Sequence, residues 1–192
     1  MDRITVLFPG GFKPFTGAQL SLLNRYVENP RVHEIKIFLS SKLRDGITKE
    51  IAISIIHILI KDSEKIVIED INDCSPVTAA YKFIETASPG KYALAASKKA
   101  DDYHRVKRFV KEHRKNGMYF NKLPEGVKIV ELSINVDPLL YCNRTDENEG
   151  KPISGTILRE DLKNNDFINF KTNYPDCTYN IIKSIWNLLK EK

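Results

Sequence analysis

Ile4-Thr5-Val6-Leu7-Phe8-Pro9-Gly10-Gly11-Phe12-Lys13-Pro14-Phe15-Thr16-Gly17-Ala18-Gln19 stands almost at the start of the chain, and its reading decides the fold. Ile4–Phe8, apolar and β-branched, predicts a strand. Proline and paired glycines end that strand, and a helix is predicted over about Ala18–Asn29. Adjacent glycines after a strand let backbone approach a ligand and leave N–H groups directed at it. The following helix aims its positive N-terminal end at the same place. Gly10 and Gly11 are therefore candidate ligand-binding residues. The loop is neither a P-loop, which needs Gly-Lys-Ser/Thr, nor GxGxxG.

Outward from this stretch the same alternation repeats. Strands are predicted at Glu34–Ser40, Lys65–Glu69, Lys91–Ala96 and Val127–Ile134. Helices are predicted from Lys49 to Lys61 with Thr48 as cap, from Pro76 to about Ser88 with Ser75 as cap, and over Asp101–Lys115. A polar stretch, Asn135–Pro152, leads to short helices near Ser154–Asn164 and Asp166–Phe170. A last amphipathic helix over Thr178–Leu189 carries the only tryptophan, Trp186. Strands alternating with helices imply an α/β fold: a Rossmann-like doubly wound parallel sheet of about five strands with helices on both faces. One domain over residues 1–192 is expected, its C-terminal helical part, from about 154 to 192, packed on the rest.

Open parallel sheets place ligands beyond the carboxyl ends of their strands, so the other strand-end loops matter. Lys42 and Arg44, in Ser40-Ser41-Lys42-Leu43-Arg44-Asp45-Gly46, flank a turn where they could hold phosphate oxygens or serve only as surface charges. Lys98 ends a strand and opens a basic helix whose charges mostly occupy its solvent face. In Pro152-Ile153-Ser154-Gly155-Thr156-Ile157-Leu158-Arg159, Ser154 or Thr156 could cap a helix and offer donors to a phosphate. Arg159 follows within one turn of Thr156, on the same face.

Composition narrows the classes. The 192 residues carry a net charge of +5, which suits a phosphate-rich partner without choosing between nucleotide and nucleic acid. Three widely spaced cysteines with no CxxC pair indicate neither zinc nor a disulfide framework, and no metal ligands are assigned. His57 falls within an apolar helical run and is expected in the core or at its boundary. The N-terminus reads directly into a strand rather than a signal segment, and Ile51–Ile60 is too short to span a bilayer. A cytoplasmic protein without membrane attachment is expected, and self-association is left open.

Gly10–Gln19 resembles the pattern G-x-F-x-P-x-H-x-G-H of the HIGH nucleotidyltransferase superfamily, and Ile153–Arg159 resembles the second signature I-S-S-T-x-x-R of nicotinamide mononucleotide adenylyltransferases. The surrounding text, including SSKLRDGIT and NDFINFKTNYP, looks like small bacteriophage members, for which the setting would be host cytoplasm. The resemblance implies transfer of a nucleoside monophosphate from ATP or CTP to a small phosphate-bearing acceptor, with release of pyrophosphate. Mg2+ would be bound with the triphosphate. It implies catalytic positions at Thr16, Gln19, Lys42 and Arg159. It implies nucleotide-binding positions at Gly10, Gly11, Phe12, Lys13, Arg44, Lys98, Ser154, Gly155 and Thr156. Thr16 and Gln19 stand where the pattern has its two histidines, and Ala18 where it has glycine. Glutamine donates a hydrogen bond but carries no positive charge, so a weakened or inactive nucleotide-binding relative is the alternative reading. Nucleic acid is disfavoured as a partner, because the basic helix lacks interleaved aromatics.

Overall fold

The computed structural model of the protein describes residues 3–60, 63–71, 74–96, 100–132, 141–144 and 146–191. Five strands, β1 (Ile4–Gly10), β2 (Val32–Leu39), β3 (Ile66–Glu69), β4 (Gly90–Leu94) and β5 (Val127–Ile129), form one sheet. Every neighbouring pair is parallel and the order is β3-β2-β1-β4-β5, reversing direction beside β1 as doubly wound folds do. Among the described residues the helices are α1 (Gly17–Glu28), α2 (Lys49–Leu59), α3 (Pro76–Ile84), α4 (Ala100–His113), α5 (Gly155–Lys163), α6 (Phe167–Thr172) and α7 (Tyr179–Lys190). A 3-10 turn lies at Phe120–Lys122. No helix among the described residues is long and apolar enough to cross a membrane.

The chain divides into two compact units, each assembled from three stretches. The first takes residues 1–10, 25–40 and 64–136, the second residues 11–24, 41–63 and 137–192.

The sheet lies in the first unit. Period-two alternation sends Leu7, Phe38 and Leu94 to one face, where Ala80 and Ile84 of α3 and Val106, Phe109 and Val110 of α4 bury them. On the other face Phe8 meets Tyr26 of α1 edge-on at 6.2 Å, and the Tyr26 hydroxyl accepts from the Ala96 N–H. Helices thus cover both faces, as the continuous apolar strands require. α3 starts at its serine cap, Ser75 Oγ accepting from Thr78 N–H, but ends at Ile84 rather than near Ser88. Ser88 precedes Pro89, which disfavours helical backbone there, and i−3 bonds from Glu85, Thr86 and Ala87 tighten the end. β5 ends at Ile129, short of the expected Ile134: residues 130–132 are described and lie outside the strand, and 133–134 lie outside the described residues.

The second unit is helical. Ala52, Ile55, Ile56 and Leu59 of α2 and Ile182, Ile185, Trp186 and Leu189 of α7 are buried, at i, i+3, i+4, i+7 spacing, and the two helices pack together. Trp186 meets Phe167 and Phe170 edge-on at 5.3 and 5.0 Å. His57 is exposed, a correction to its expected burial. It falls opposite the Ile55–Ile56–Leu59 stripe, which its apolar neighbours in the sequence concealed.

Candidate functional site

Most of the site residues named from the sequence fall in the second unit. Residues 11–16 leave β1 and double back tightly. Phe12 adopts a left-handed conformation (φ 47°), strained for an aromatic residue. Its ring is buried against Phe15, centroids 5.0 Å apart, and that packing holds the strained turn. A Cβ on Gly11 would meet nothing within 4 Å, so the backbone there is approachable from solvent. Gly10, in the first unit, ends β1 and accepts from Ser40 N–H at 3.3 Å.

Thr16 and Gln19 form a reciprocal capping box on α1. Gln19 N–H donates to Thr16 Oγ1 at 3.2 Å, and Thr16 N–H donates to Gln19 Oε1 at 2.9 Å. Two N–H groups that a helix start leaves without partners are thereby satisfied. Gly17 follows because nothing larger fits: an added Cβ would lie 2.2 Å from the Asn173 carbonyl oxygen, which accepts from Gly17 N–H at 3.2 Å. Nearby, the buried Tyr174 hydroxyl donates to Phe15 O at 2.7 Å.

Lys13 is buried and its Nζ donates to the carbonyl of Lys42. Burial pushes its ammonium below the usual lysine range, Lys49 adds to that, and Glu50 opposes it. The 41–48 loop turns on Asp45 and Gly46, both with positive φ (50° and 76°), between paired Arg44 and Ile47. This is the Asp-Gly turn that such a dipeptide favours. The Lys42, Arg44 and Asp45 side chains lie at the surface, and Thr48 caps α2 through Ile51 N–H.

Ser154 caps α5, its Oγ accepting from Ile157 N–H. From the second turn of α5, Arg159 reaches back to residues 11–16. Its Nη1 donates to Lys13 O at 2.8 Å, Nη2 donates to Thr156 Oγ1 at 3.2 Å, and Nε pairs with Asp45 Oδ2 at 2.6 Å. Gly155 makes room for this, since a Cβ there would stand 3.1 Å from Arg159 Nη1. Arg159, Thr156 and Asp45 also line a cavity of about 470 Å³, together with Lys163 and Lys190. The structure thus brings together residues 11–13, the 42–45 loop and the 154–159 helix start. Lys98 lies outside the described residues.

One cluster was not read from the sequence. Arg144 and Asp161, each 3% exposed, form a two-pronged ion pair at 2.9 and 2.7 Å. Arg144 Nε also donates to Asp146 Oδ1 at 2.9 Å, and Asn173 Nδ2 donates to Asp161 Oδ2 at 3.1 Å. Through Asn173 O the network reaches Gly17 and so supports the capping box. The signal lay in α5: Asp161 occupies the same buried stripe as Ile157, Leu158 and Leu162, where a carboxylate requires a buried cation.

No protein-family profile matches the sequence, and no curated protein matches it. Among solved structures, Plasmodium falciparum nicotinic acid mononucleotide adenylyltransferase complexed with APC aligns over 98% of both chains, with TM-score 0.52 and 15% identity. The same enzyme complexed with NaAD aligns over 98% of both, with TM-score 0.50 and 16% identity. Likeness at this identity establishes the architecture: the chain has the α/β, Rossmann-like fold that these adenylyltransferases share.

Proposed function

We propose that the protein is a nucleotidyltransferase of the HIGH type, moving a nucleoside monophosphate from ATP, with CTP second, to a small phosphate-bearing acceptor and releasing pyrophosphate. The observation that carries this reading is the Arg159–Lys13 hydrogen bond. It joins the two signature-like stretches across 146 residues of sequence, within a fold shared with adenylyltransferases. Such a reaction needs no protein nucleophile: the acceptor phosphate attacks the α-phosphate, the bond to pyrophosphate breaks, and the leaving group carries the charge away. Positioning and charge stabilisation by backbone N–H groups and cations then suffice. In this assignment the exposed backbone at Gly11 and the start of α5 at Ser154, Gly155 and Thr156 face the phosphates. Arg159, Lys42 and Arg44 supply charge. Lys13 and Phe12 fix the loop rather than touch the nucleotide.

Among the described residues no group of three or more His, Cys, Asp or Glu side chains could hold a metal. In this reading magnesium would arrive on the triphosphate's own oxygens and neutralise part of their charge. A second reading, a nucleotide-binding relative with little turnover, draws on the capping box, because the Gln19 carbonyl oxygen is engaged by Thr16 N–H. Titration calorimetry with ATP and CTP, followed by pyrophosphate release with nicotinic acid mononucleotide and other phosphomonoesters, tests both. Transfer to any acceptor supports the enzyme, binding without transfer the second reading, and absence of binding overturns both.

A further inference from the structure

The basic character of the chain is concentrated in one place. Residues 103–122 carry seven Lys or Arg against one Glu, whereas the whole chain is only +5, so the remaining residues together are slightly acidic. Part of this charge lies along the outer face of α4, the rest on the segment that follows.

Beyond His113 the chain folds back across the helix end. Gly117 N–H donates to Arg114 O at 2.7 Å and Tyr119 N–H to Glu112 O at 2.9 Å, with Asn116 in the left-handed region (φ 71°). The return depends on glycine, since a Cβ at Gly117 would lie 2.3 Å from Glu112 O. Tyr119 then lies nearly parallel to the buried His113 ring at 5.4 Å, and Lys122 approaches Tyr119 at 5.2 Å. The fold-back is thus fixed by backbone hydrogen bonds and ring packing.

It borders an open groove of about 580 Å³ lined by Arg108, Lys111, Arg114, Lys115 and Met118. The acid in its lining, Glu112, already accepts from Arg108 Nε and from the Tyr81 hydroxyl, each at 2.8 Å. With Arg108 paired to Glu112, Lys111, Arg114 and Lys115 are left, and the roughly half an elementary charge of a helix C-terminus, acting over its last turn, accounts for one or two of them but not all three. Met118, in the lining, is 72% exposed, and Phe120, two residues further on with its N–H donating to Gly117 O at 3.1 Å, is 42% exposed. The aromatic neighbours that the basic helix lacks in sequence are supplied by the segment folded against its end.

We propose that this groove binds the phosphodiester backbone of a single-stranded nucleic acid, with Phe120 offering a face on which a base stacks. A single strand exposes both its phosphates and its base faces, and cations beside an exposed ring match both. The inference is independent of nucleotidyl transfer.

Fluorescence anisotropy of a labelled oligouridylate of ~20 nucleotides, with KCl raised from ~50 to ~200 mM, tests it. Three or four neutralised phosphates predict a slope of log K on log salt of about −2 to −3. The triple variant Lys111→Glu/Arg114→Glu/Lys115→Glu should weaken binding at least about tenfold and flatten that slope. Phe120→Ala should weaken it about fivefold or more at unchanged slope. The control Lys128→Glu/Lys151→Glu/Lys171→Glu, equal in charge, should retain most of the affinity, with circular dichroism confirming the fold of every variant. Four outcomes would overturn the proposal: no binding by the unaltered chain, equal loss in the control, equal affinity for duplex, or binding only to phosphatidylserine vesicles.

Discussion

Arg159 Nη1 donates to the carbonyl of Lys13 at 2.8 Å, although the two residues are 146 positions apart. With Nη2 on Thr156 and Nε on Asp45, three of the five guanidinium N–H groups are engaged by described residues, and in the function proposed above the other two would serve phosphate oxygens. The side chain is held in place before any ligand arrives, so little ordering is left to binding.

From this follows the first prediction. Arg159→Ala should weaken ATP binding by about 1.5–3 kcal/mol, the scale of a charge-assisted hydrogen bond. Arg159→Lys should recover little, because an ammonium cannot donate in three fixed directions while also facing a phosphate. Calorimetric titration of both variants measures this. Unchanged affinity in the alanine variant would reduce Arg159 to a structural clasp.

Gly17 yields a prediction whose sign opposes helix propensity. Alanine is the better helix former by about 1 kcal/mol. A Cβ at this position would nevertheless lie 2.2 Å from the carbonyl oxygen of Asn173. Gly17→Ala should therefore destabilise the protein by about 1–3 kcal/mol, the usual range for overpacking. Urea denaturation decides it, and a stabilised variant would show that α1 and residue 173 separate easily.

The buried Arg144–Asp161 pair yields the third. Asp161→Ala leaves the 3%-exposed Arg144 with Asp146 as its one carboxylate partner among the described residues and should cost about 3 kcal/mol or more. Replacing both members, Arg144→Met with Asp161→Leu, should restore much of that loss, because no buried charge is then left alone. A double variant no more stable than Asp161→Ala would mean that the network matters for its hydrogen bonds to Asn173 rather than for its charges.

Where local chemistry dictates conformation, the sequence was legible. Ser75–Pro76, Thr48, Ser154 and Asp45–Gly46 each do locally what their residue types favour, and the strand alternation matches the parallel sheet. Arg144 with Asp161 was not legible, because nothing local in a polar stretch announces that one arginine will be buried. Thr16 and Gln19 were legible as departures from two histidines, yet not as partners. Read as T-x-x-Q they spell a capping box, which the search for catalytic residues obscured.

His113 should make stability depend on pH. Its ring lies buried among Phe109, Tyr81 and Tyr119, its Nδ1 2.8 Å from Phe109 O. Burial lowers its proton affinity below the ordinary histidine value, against the opposing pull of the Phe109 carbonyl, Glu112 and Glu85. The unfolded chain then binds more protons than the native state as pH falls below about 6.5, so the contribution present above that pH is lost below it. The urea midpoint should fall between pH 7.5 and 5.5, and fall less in His113→Phe, which keeps a ring without the titration. The other three histidines are common to both proteins, so equal losses would exclude His113 as the source.

The last prediction concerns Gln19, where stability and rate should separate. Gln19→His removes the amide oxygen that accepts from Thr16 N–H at 2.9 Å, and an imidazolium in the first turn faces the positive end of α1. The variant should therefore be less stable, by about 0.5–1 kcal/mol, on the scale of a lost cap. Its transfer rate should nevertheless rise. A charged imidazole can donate to a phosphate as negative charge shifts toward the leaving group, which the neutral amide of glutamine does more weakly. Interactions formed mainly in the transition state act on kcat more than on KM. Losing one such donor elsewhere lowers rates by about a hundredfold, which sets the upper scale of the gain. Pyrophosphate release from ATP with magnesium and nicotinic acid mononucleotide, alongside calorimetry for Tm, reads both effects. Should the unaltered chain turn over faster than a folded Gln19→His variant, the capping box itself belongs to the working site. Thr16→Ser, which keeps the hydroxyl cap, would then preserve the rate, whereas Thr16→Val would abolish it.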